Sequence, residues 1–192
     1  DIVLDTYEKN MECIGYVFGR RTPKGKIITK WPRGLTKGRL REAYQNYGMS
    51  GDTMLVYRTE IINKYHFPHF EGEKFVPEAY LYDQIDQEGD MVFTNKNIYI
   101  CQYLQDGYTA SMKKVIHDNP RGYEAYIIQR LKMDTEVMHK VSDVSRYIAV
   151  KILIDKRKVL KDALYPKLTF WLYPFGYLLY IKNYKKYNEW RK

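Results

Sequence analysis

A cluster of acidic residues lies directly before a predicted helix near the middle of the chain. Residues 70–85 read Phe-Glu-Gly-Glu-Lys-Phe-Val-Pro-Glu-Ala-Tyr-Leu-Tyr-Asp-Gln-Ile. Pro77 suits the first position of a helix, because its missing N–H would have no intrahelical partner there, so the helix is predicted to begin at about Glu78. A buried face at helical spacing would hold this carboxylate in place. That face consists of Ala79, Leu81, Tyr82 and Ile85.

Glu78 therefore has two interpretations. A rigidly placed carboxylate at the edge of a fold can act as a general base and take the proton from an attacking hydroxyl group. Acidic residues are also enriched in the first turn of helices for structural reasons, because they interact favourably with the positive end of the helix dipole. The spacing alone leaves both interpretations open.

No metal-ligand spacing occurs among the cysteines and histidines of the sequence. Cys13 and Cys101 lie far apart, each within an apolar run that predicts a strand, so both are predicted to be buried, reduced thiols. The four histidines are scattered along the chain. Asp83, Asp86 and Asp90 recur at intervals of three and four, which predicts a solvated helix face rather than a metal site.

The positive charge of the chain is concentrated at its C-terminal end. The 192 residues carry a net charge of +9, and residues 151–192 hold 11 Lys and Arg residues against 3 Asp and Glu residues. Residues 1–150 are nearly balanced, with 21 basic and 20 acidic side chains. This distribution argues against a nucleic-acid groove on the body and places any anionic partner at the tail.

Short β-rich runs alternate with predicted helices over the first two thirds of the chain. Strands are predicted at residues 12–20, 27–31, 53–58, 91–94 and 97–104. Helices are predicted at residues 36–47, with Thr36 as the cap, at 59–65, from Glu78 onward and at 109–117. After a break at residues 119–122, the remainder is predicted to be mostly helical.

This pattern predicts an α/β or α+β body followed by a helical tail. We expect the body to comprise residues 1–134, and the helical, basic and aromatic tail to comprise residues 135–192. The chain opens without an initiator Met or a signal peptide, and residues 2–8 are typical of the end of an amphipathic helix that begins upstream. We therefore expect the chain to be a fragment of a longer polypeptide.

Several short motifs occur in an order that resembles family 2 glycosyltransferases, with the greatest similarity to bacterial enzymes that build cell-surface polysaccharides. The similarity covers about residues 48–130. The motifs are Gly51-Asp52, Val56-Tyr57-Arg58, Phe67-Pro68, Glu73-Lys-Phe-Val-Pro-Glu78, Tyr103-Leu-Gln-Asp-Gly-Tyr-Thr109 and Asn119-Pro-Arg-Gly122. The resemblance implies a GT-A fold, in which helices flank a mixed sheet, and an inverting transfer from a nucleotide-sugar to a saccharide or lipid-linked acceptor.

The resemblance also implies that two halves of the enzyme have different functions and that this chain contains only one of them. In the family, the N-terminal half supplies the nucleotide-binding strands and an Asp-x-Asp motif, which holds a divalent cation, Mn²⁺ or Mg²⁺, against the donor diphosphate. This sequence has no Asp-x-Asp. We therefore expect the chain to be the acceptor-side half, with the cation ligands outside it and little activity when isolated.

Residue by residue, the resemblance places Glu78 at the catalytic base of the family. Asp52 would lie near the acceptor or donor sugar, although a turn residue before a strand is the plain alternative. Arg58 could pair with a phosphate of the donor or of a lipid-linked acceptor, or simply be solvated at a strand end. Asp106-Gly107 and the 119–122 motif would shape a loop that closes over the site, and Arg121 is the residue of that motif that could bind a diphosphate.

The tail has the composition of a membrane-surface segment. Residues 164–181 are nearly all apolar or aromatic, with basic residues on both sides. Lys167, Pro166, Pro174 and Gly176 argue against a bilayer span and favour a broken helix pair in the headgroup region of an anionic leaflet. Packing of the aromatic stripe back on the domain is the alternative. We accordingly expect a peripheral location on the cytoplasmic face of the cell membrane.

Two other classes of function compete with the glycosyltransferase interpretation. One is a basic, tyrosine-rich nucleic-acid-binding module, in which some of the 20 tyrosines would stack on bases. The near-neutral body weakens that interpretation. The other is a non-catalytic membrane or interaction scaffold.

Overall fold

A small mixed β-sheet forms around the first predicted strand. The computed structural model describes residues 12–102, 108–133 and 136–188. Within them the strands are β1 (Gly15–Arg21), β2 (Lys37–Gly38), β3 (Thr53–Tyr57), β4 (Met91–Phe93) and β5 (Tyr99–Ile100). β1 pairs antiparallel with β3 and parallel with β4, while β2 pairs antiparallel with β4, giving the order β2-β4-β1-β3. β5 pairs in parallel with the far end of β1. The expected mixed α/β class is confirmed.

β1 is central because both of its faces are covered. Val17 packs in one apolar cluster with Ile85 and Met91, whereas Tyr16 and Phe18 pack in a second cluster on the other face. Val17 and Phe18 are completely buried. A continuous buried run of this kind is what a strand covered on both faces requires.

Three helices accompany the sheet, and the first differs from its prediction. They are α1 (Leu40–Gln45), α2 (Thr59–Ile62) and α3 (Ala79–Ile85). Residues 37–38 pair as β2, so α1 begins at Leu40 and Thr36 does not cap it. The carboxylate of Asp86 takes that role instead, accepting hydrogen bonds from the Leu40 amide at 2.6 Å and the Arg41 amide at 3.2 Å. The predicted start of α1 was wrong because its cap is remote in sequence.

The predicted solvated aspartate face is also wrong. Asp83 and Asp86 are buried, with 9% and 3% of their surface exposed. Burial raises the pKa of Asp86, although its two amide donors and nearby arginines act in the opposite direction. Asp90 lies 3.6 Å from the guanidinium of Arg39. The intervals of three and four residues between these aspartates therefore reflect capping and packing, not the exposure of a helix face to solvent.

Other predicted elements are shorter in the structure. Residues 27–31 form only isolated bridges, Arg21 with Ile27 and Lys30 with Ser50. The predicted strand at 97–104 pairs only at Tyr99–Ile100, and residues 103–104 lie outside the described residues. The helix expected at residues 2–8 and the Asp106-Gly107 turn also lie outside them. Cys13 is buried and Cys101 is half-buried.

The described residues from Tyr108 onward are mostly helical, as predicted. The helices are α4 (Tyr108–Asp118, irregular at Ser111), α5 (Pro120–Met133), α6 (Val137–Asp155), α7 (Pro166–Tyr180) and α8 (Lys186–Asn188). A short 3-10 helix (Lys156–Lys158) follows α6, and a short π-helix (Ile181–Lys185) follows α7. The predicted break at 119–122 is in fact the start of α5, where Pro120 occupies a first-turn position that needs no N–H donor.

α7 is one helix rather than the expected broken pair. Pro174 lies inside it on the exposed side. A proline there removes one backbone hydrogen bond and crowds the carbonyl four residues earlier, so packing must stabilise the helix. On the opposite side Gly176 is buried, and a Cβ added to it would come within 2.4 Å of Cβ of Ile148. The glycine thus permits close packing of α7 on α6, which holds the helix together.

A large apolar cluster and two ion-pair groups stabilise this helical unit. The cluster contains Ile127 and Leu131 from α5 and Val144, Tyr147 and Ile148 from α6. Buried Asp143 accepts from Arg130 at 2.7 Å and from Arg146 at 3.2 Å. Lys151, also buried, lies 2.8 Å from both Glu124 and Asp162.

The described chain divides into two compact units. Residues 12–66 and 81–102 form the first, and residues 67–80 with 108–188 form the second. Within the second unit, α5 and α6 share one apolar core. The expected division into residues 1–134 and 135–192 stays a prediction.

Candidate functional site

An open cleft lies along the loop that contains most of the acidic cluster. Its volume is about 390 Å³. This is within the range of about 300–1,000 Å³ typical of small-molecule pockets. Apolar and aromatic side chains dominate the lining. Its charged side chains are Glu73, Lys74 and Glu78. The other lining residues are Phe67, Pro68, His69, Phe70, Phe75 and Val76.

Glu73 anchors this loop to the beginning of α5. One of its carboxylate oxygens accepts a hydrogen bond from the amide of Arg121 at 2.9 Å, and the other accepts from the amide of Gly122 at 2.8 Å. These amides belong to the first turn of α5 and have no acceptor within the helix. The negative charge also interacts favourably with the positive end of the helix dipole. Glu73 therefore acts as a helix cap supplied from 48 positions earlier in the chain.

Two further contacts hold the loop against the α4–α5 junction. The side-chain oxygen of Asn119 accepts from the amide of Lys74 at 2.7 Å, and its amide nitrogen donates to the Val115 carbonyl at 2.8 Å. A Cβ added to Gly122 would lie only 2.2 Å from the Phe75 carbonyl oxygen, so only glycine allows this approach. The middle of the loop is thus fixed at three points.

Glu78 lies at the end of the fixed loop, on the rim of the cleft. α3 begins one residue later, at Ala79, and the Tyr80 amide donates to the Pro77 carbonyl at 2.9 Å. Glu78 is exposed. Further along α3, Leu81 and Ile85 are buried, as the predicted face requires. The structure therefore places an exposed carboxylate at the mouth of an aromatic cleft.

A smaller hollow of about 260 Å³ lies beside Lys74 and Phe75. Its charged residues on α4, Lys114 and Asp118, form an ion pair with each other. Partial burial acts to raise the pKa of Asp118, but hydrogen bonds from Lys114 and His117 lower it overall. Because these charges satisfy each other, this hollow is less suited to binding a charged ligand.

Asp52 and Arg58 lie in the first unit, at opposite ends of β3. The Asp52 carbonyl accepts a hydrogen bond from Thr29, and its carboxylate lies 4.0 Å from the Arg20 guanidinium. Arg58 is half-buried and its guanidinium donates to the carbonyl of Cys13. At a rise of about 3.3 Å per residue, the two positions are about 20 Å apart. A single monosaccharide cannot contact both.

Arg121 belongs to the second unit together with Glu78. Its side chain is exposed in the first turn of α5, and its backbone amide is bound by Glu73. Glu73 thus links the two predicted site residues of this unit, since it also lines the cleft beside Glu78.

The sequence predicts neither the α5 cap formed by Glu73 nor the contact of Asn119 with Lys74. Asn119 followed by Pro120 carries a local signal, because an asparagine cap followed by proline is typical of a helix start. Glu73 carries no such local signal, because its partners lie 48 and 49 positions away.

The described residues contain no group of three or more His, Cys, Asp or Glu side chains arranged to hold a metal ion. The cleft itself offers two carboxylates and one histidine, with Glu73 already committed to the α5 amides. The donor set therefore does not fit the divalent cation that the glycosyltransferase resemblance implies.

Comparison of the chain with protein-family models, curated proteins and solved structures finds no match.

Proposed function

We propose that this chain is the acceptor-side part of an inverting, GT-A-type glycosyltransferase. In this proposal it helps to transfer a hexosyl or related sugar from a nucleotide-sugar to a saccharide or lipid-linked acceptor during synthesis of a bacterial cell-surface polysaccharide. The ordered motifs between residues 51 and 122 and the geometry around Glu78 support it.

The observation that carries the proposal is the position of Glu78. It is an exposed carboxylate on the rim of a cleft of about 390 Å³, which is large enough to admit a sugar ring, at the end of a loop fixed by Glu73 and Asn119. Flat aromatic side chains such as Phe70 and Phe75 suit the apolar faces of a sugar ring, while a carboxylate at the edge can reach its hydroxyl groups. A fixed backbone favours a constant distance between base and acceptor.

The proposed role of Glu78 is that of a general base. Its carboxylate accepts the proton of the acceptor hydroxyl while that oxygen forms a bond to the anomeric carbon of the donor. The bond from the anomeric carbon to the diphosphate oxygen breaks on the opposite side, and the nucleoside diphosphate leaves with the electron pair. Configuration inverts because attack and departure occur on opposite faces.

The other predicted residues have supporting roles in the proposal. Arg121 has an exposed guanidinium that suits a phosphate group, and its position is fixed by Glu73. In the first unit, Asp52 and Arg58 are each proposed as a polar contact to substrate. A divalent cation at the donor diphosphate belongs to the complete enzyme, and no step assigned to this chain depends on it.

Substitution of Glu78 in the full-length protein tests the proposal. With a panel of UDP-sugars and saccharide acceptors, Glu78→Gln should lower kcat by about 10²–10⁴-fold, because glutamine keeps the shape but cannot accept the proton. KM for the donor should be unchanged. The measurement is release of UDP coupled to product formation.

Glu71→Gln is the matched control. Glu71 is exposed in the same loop but does not line the cleft, so its substitution should leave turnover unchanged. Equal turnover in the two variants would mean that Glu78 is an ordinary residue preceding a helix.

A further inference from the structure

The outward face of α7 is apolar over the length of the helix. Phe170, Trp171, Phe175 and Leu178 are between 61% and 75% exposed, which is unusual for large apolar side chains. At about 100° of rotation per residue, these positions lie on one side of the helix. Pro174 and Ile181 extend the same surface.

The opposite face of α7 is firmly packed. Thr169 and Gly176 are buried, and Leu172 and Tyr173 join the core that contains Ile148. The exposed side chains therefore belong to a well-anchored helix whose inner face already has its partner. Among the described residues, the side chains of the outer face remain exposed.

Basic residues stand at both ends of this face. Residues 168–181 contain no charged side chain, whereas Lys167 precedes them and Lys182, Lys185 and Lys186 follow them. All four lysines are exposed. An apolar stripe between cationic ends is complementary to a surface that is apolar inside and negatively charged outside.

We propose that the outward face of α7 binds the surface of an anionic lipid bilayer. Phe170, Trp171, Phe175 and Leu178 would enter the boundary between headgroups and acyl chains, with the lysines on the anionic headgroups. Tryptophan is the side chain preferred at this depth. The cytoplasmic leaflet is rich in anionic lipid, which fits the expected peripheral location.

The length of the helix is consistent with lying on a bilayer rather than crossing it. The uncharged stretch 168–181, between Lys167 and Lys182, would extend about 21 Å as a helix, less than the ~30 Å of hydrocarbon in a typical bilayer. Among the described residues no helix is long and apolar enough to cross a membrane.

A second copy of the chain is the competing occupant of this face, and the charges disfavour it. A two-fold contact between antiparallel copies of α7 would bring Lys167 of one copy towards Lys182 and Lys185 of the other. Like charges would then meet at both ends of the contact. An anionic surface instead satisfies every lysine.

Co-sedimentation with vesicles tests the proposal. The wild-type chain should bind vesicles of phosphatidylcholine with phosphatidylglycerol, and should bind pure phosphatidylcholine much more weakly. Rising salt should weaken binding without abolishing it, because salt screens the lysines but not the apolar insertion. Trp171→Ser combined with Phe175→Ser should lower the affinity at least about tenfold.

The control carries Val137→Ser and Met138→Ser, which remove two equally exposed apolar side chains from the start of α6. It should bind as the wild type does. Thermal unfolding of both double variants should match the wild type, because all four positions are exposed. Substitutions are preferable to deletion of residues 151–192, which would cut α6 and uncover Ile148 and Val150.

Two results would overturn the proposal. One is absence of binding to the anionic vesicles at low salt. The other is a wild-type dimer that the Trp171→Ser, Phe175→Ser variant converts to a monomer, with equal vesicle binding by both, because the face would then join two copies of the chain.

Discussion

Two glutamates of the same loop have different tasks. Glu73 uses both carboxylate oxygens to accept hydrogen bonds from the first amides of α5, whereas Glu78 is exposed at the cleft mouth. These two hydrogen bonds give the Glu73 carboxylate a structural role as the cap of α5. Glu73 is therefore a positioning residue, and Glu78 remains the candidate base of the loop.

Loss of the Glu73 cap should destabilise the second unit measurably. Glu73→Ala leaves two α5 amides without their acceptor, so the free energy of unfolding should fall by about 1–2 kcal/mol. Glu73→Gln retains one acceptor oxygen and should lose less. Urea unfolding measures both changes.

Glu71→Ala provides the comparison for this cap. Glu71 is exposed in the same loop, and its substitution should change stability by less than about 0.5 kcal/mol. If Glu73→Ala and Glu71→Ala unfold at the same urea concentration, the cap contributes nothing.

Among the elements, α1 shows how one helix can depend on another. Its N-terminal amides at Leu40 and Arg41 are bound by Asp86, which follows the end of α3. Asp86 is nearly fully buried. If its carboxylate were removed, these amides would lose their acceptor, and water could not easily replace it.

We expect Asp86→Ala to lower the free energy of unfolding by about 1–3 kcal/mol. Asp86→Asn keeps a carbonyl oxygen for the Leu40 amide and should lie between the wild type and the alanine variant. Chemical denaturation reports the order. An alanine variant as stable as the asparagine variant would show that α1 caps itself in another way.

Elements with a strong local signal were predictable from the sequence. The apolar runs of β1 and β3 and the buried face of α3 have the expected places. Residues 27–31 have a strand composition but form only isolated bridges, because a strand exists only where a neighbour pairs with it. The cleft was partly predictable for the same reason. The position of Glu78 could be predicted because it precedes a helix start, whereas the Glu73 cap could not, because its partners are distant in the sequence.

Across the whole second unit, buried charges join segments that are distant in sequence. Lys151 in α6 binds Glu124 in α5 and Asp162 in the segment before α7, each at 2.8 Å. The hydrogen bond from Lys151 lowers the pKa of Asp162 below its ordinary value of 3.8. A lowered carboxyl pKa means that ionised Asp162 stabilises the fold above about pH 4, and that this stabilisation disappears as the pH falls through the lowered pKa.

Lys151→Met should therefore have an effect that depends on pH. At pH 7 we expect a loss of about 1–3 kcal/mol, because Glu124 is left without its buried partner. The difference from the wild type should shrink as Asp162 becomes protonated below about pH 4. Urea midpoints measured from pH 7 to about pH 2.5 give the profile.

Lys132→Met, at an exposed position near the end of α5, is the control and should show no such pH dependence. A constant difference between wild type and Lys151→Met across this pH range would contradict the role of Asp162.

The long-range anchoring of the cleft loop also bears on the order in which the molecule is made. Lys74 and Glu73 find their partners 45 to 49 residues later, at Asn119, Arg121 and Gly122. During synthesis, residues 67–78 leave the ribosome well before those partners exist. Contacts of such separation form slowly, because the intervening chain must first be closed into a loop. The cleft loop can therefore be anchored only once the α4–α5 junction has emerged.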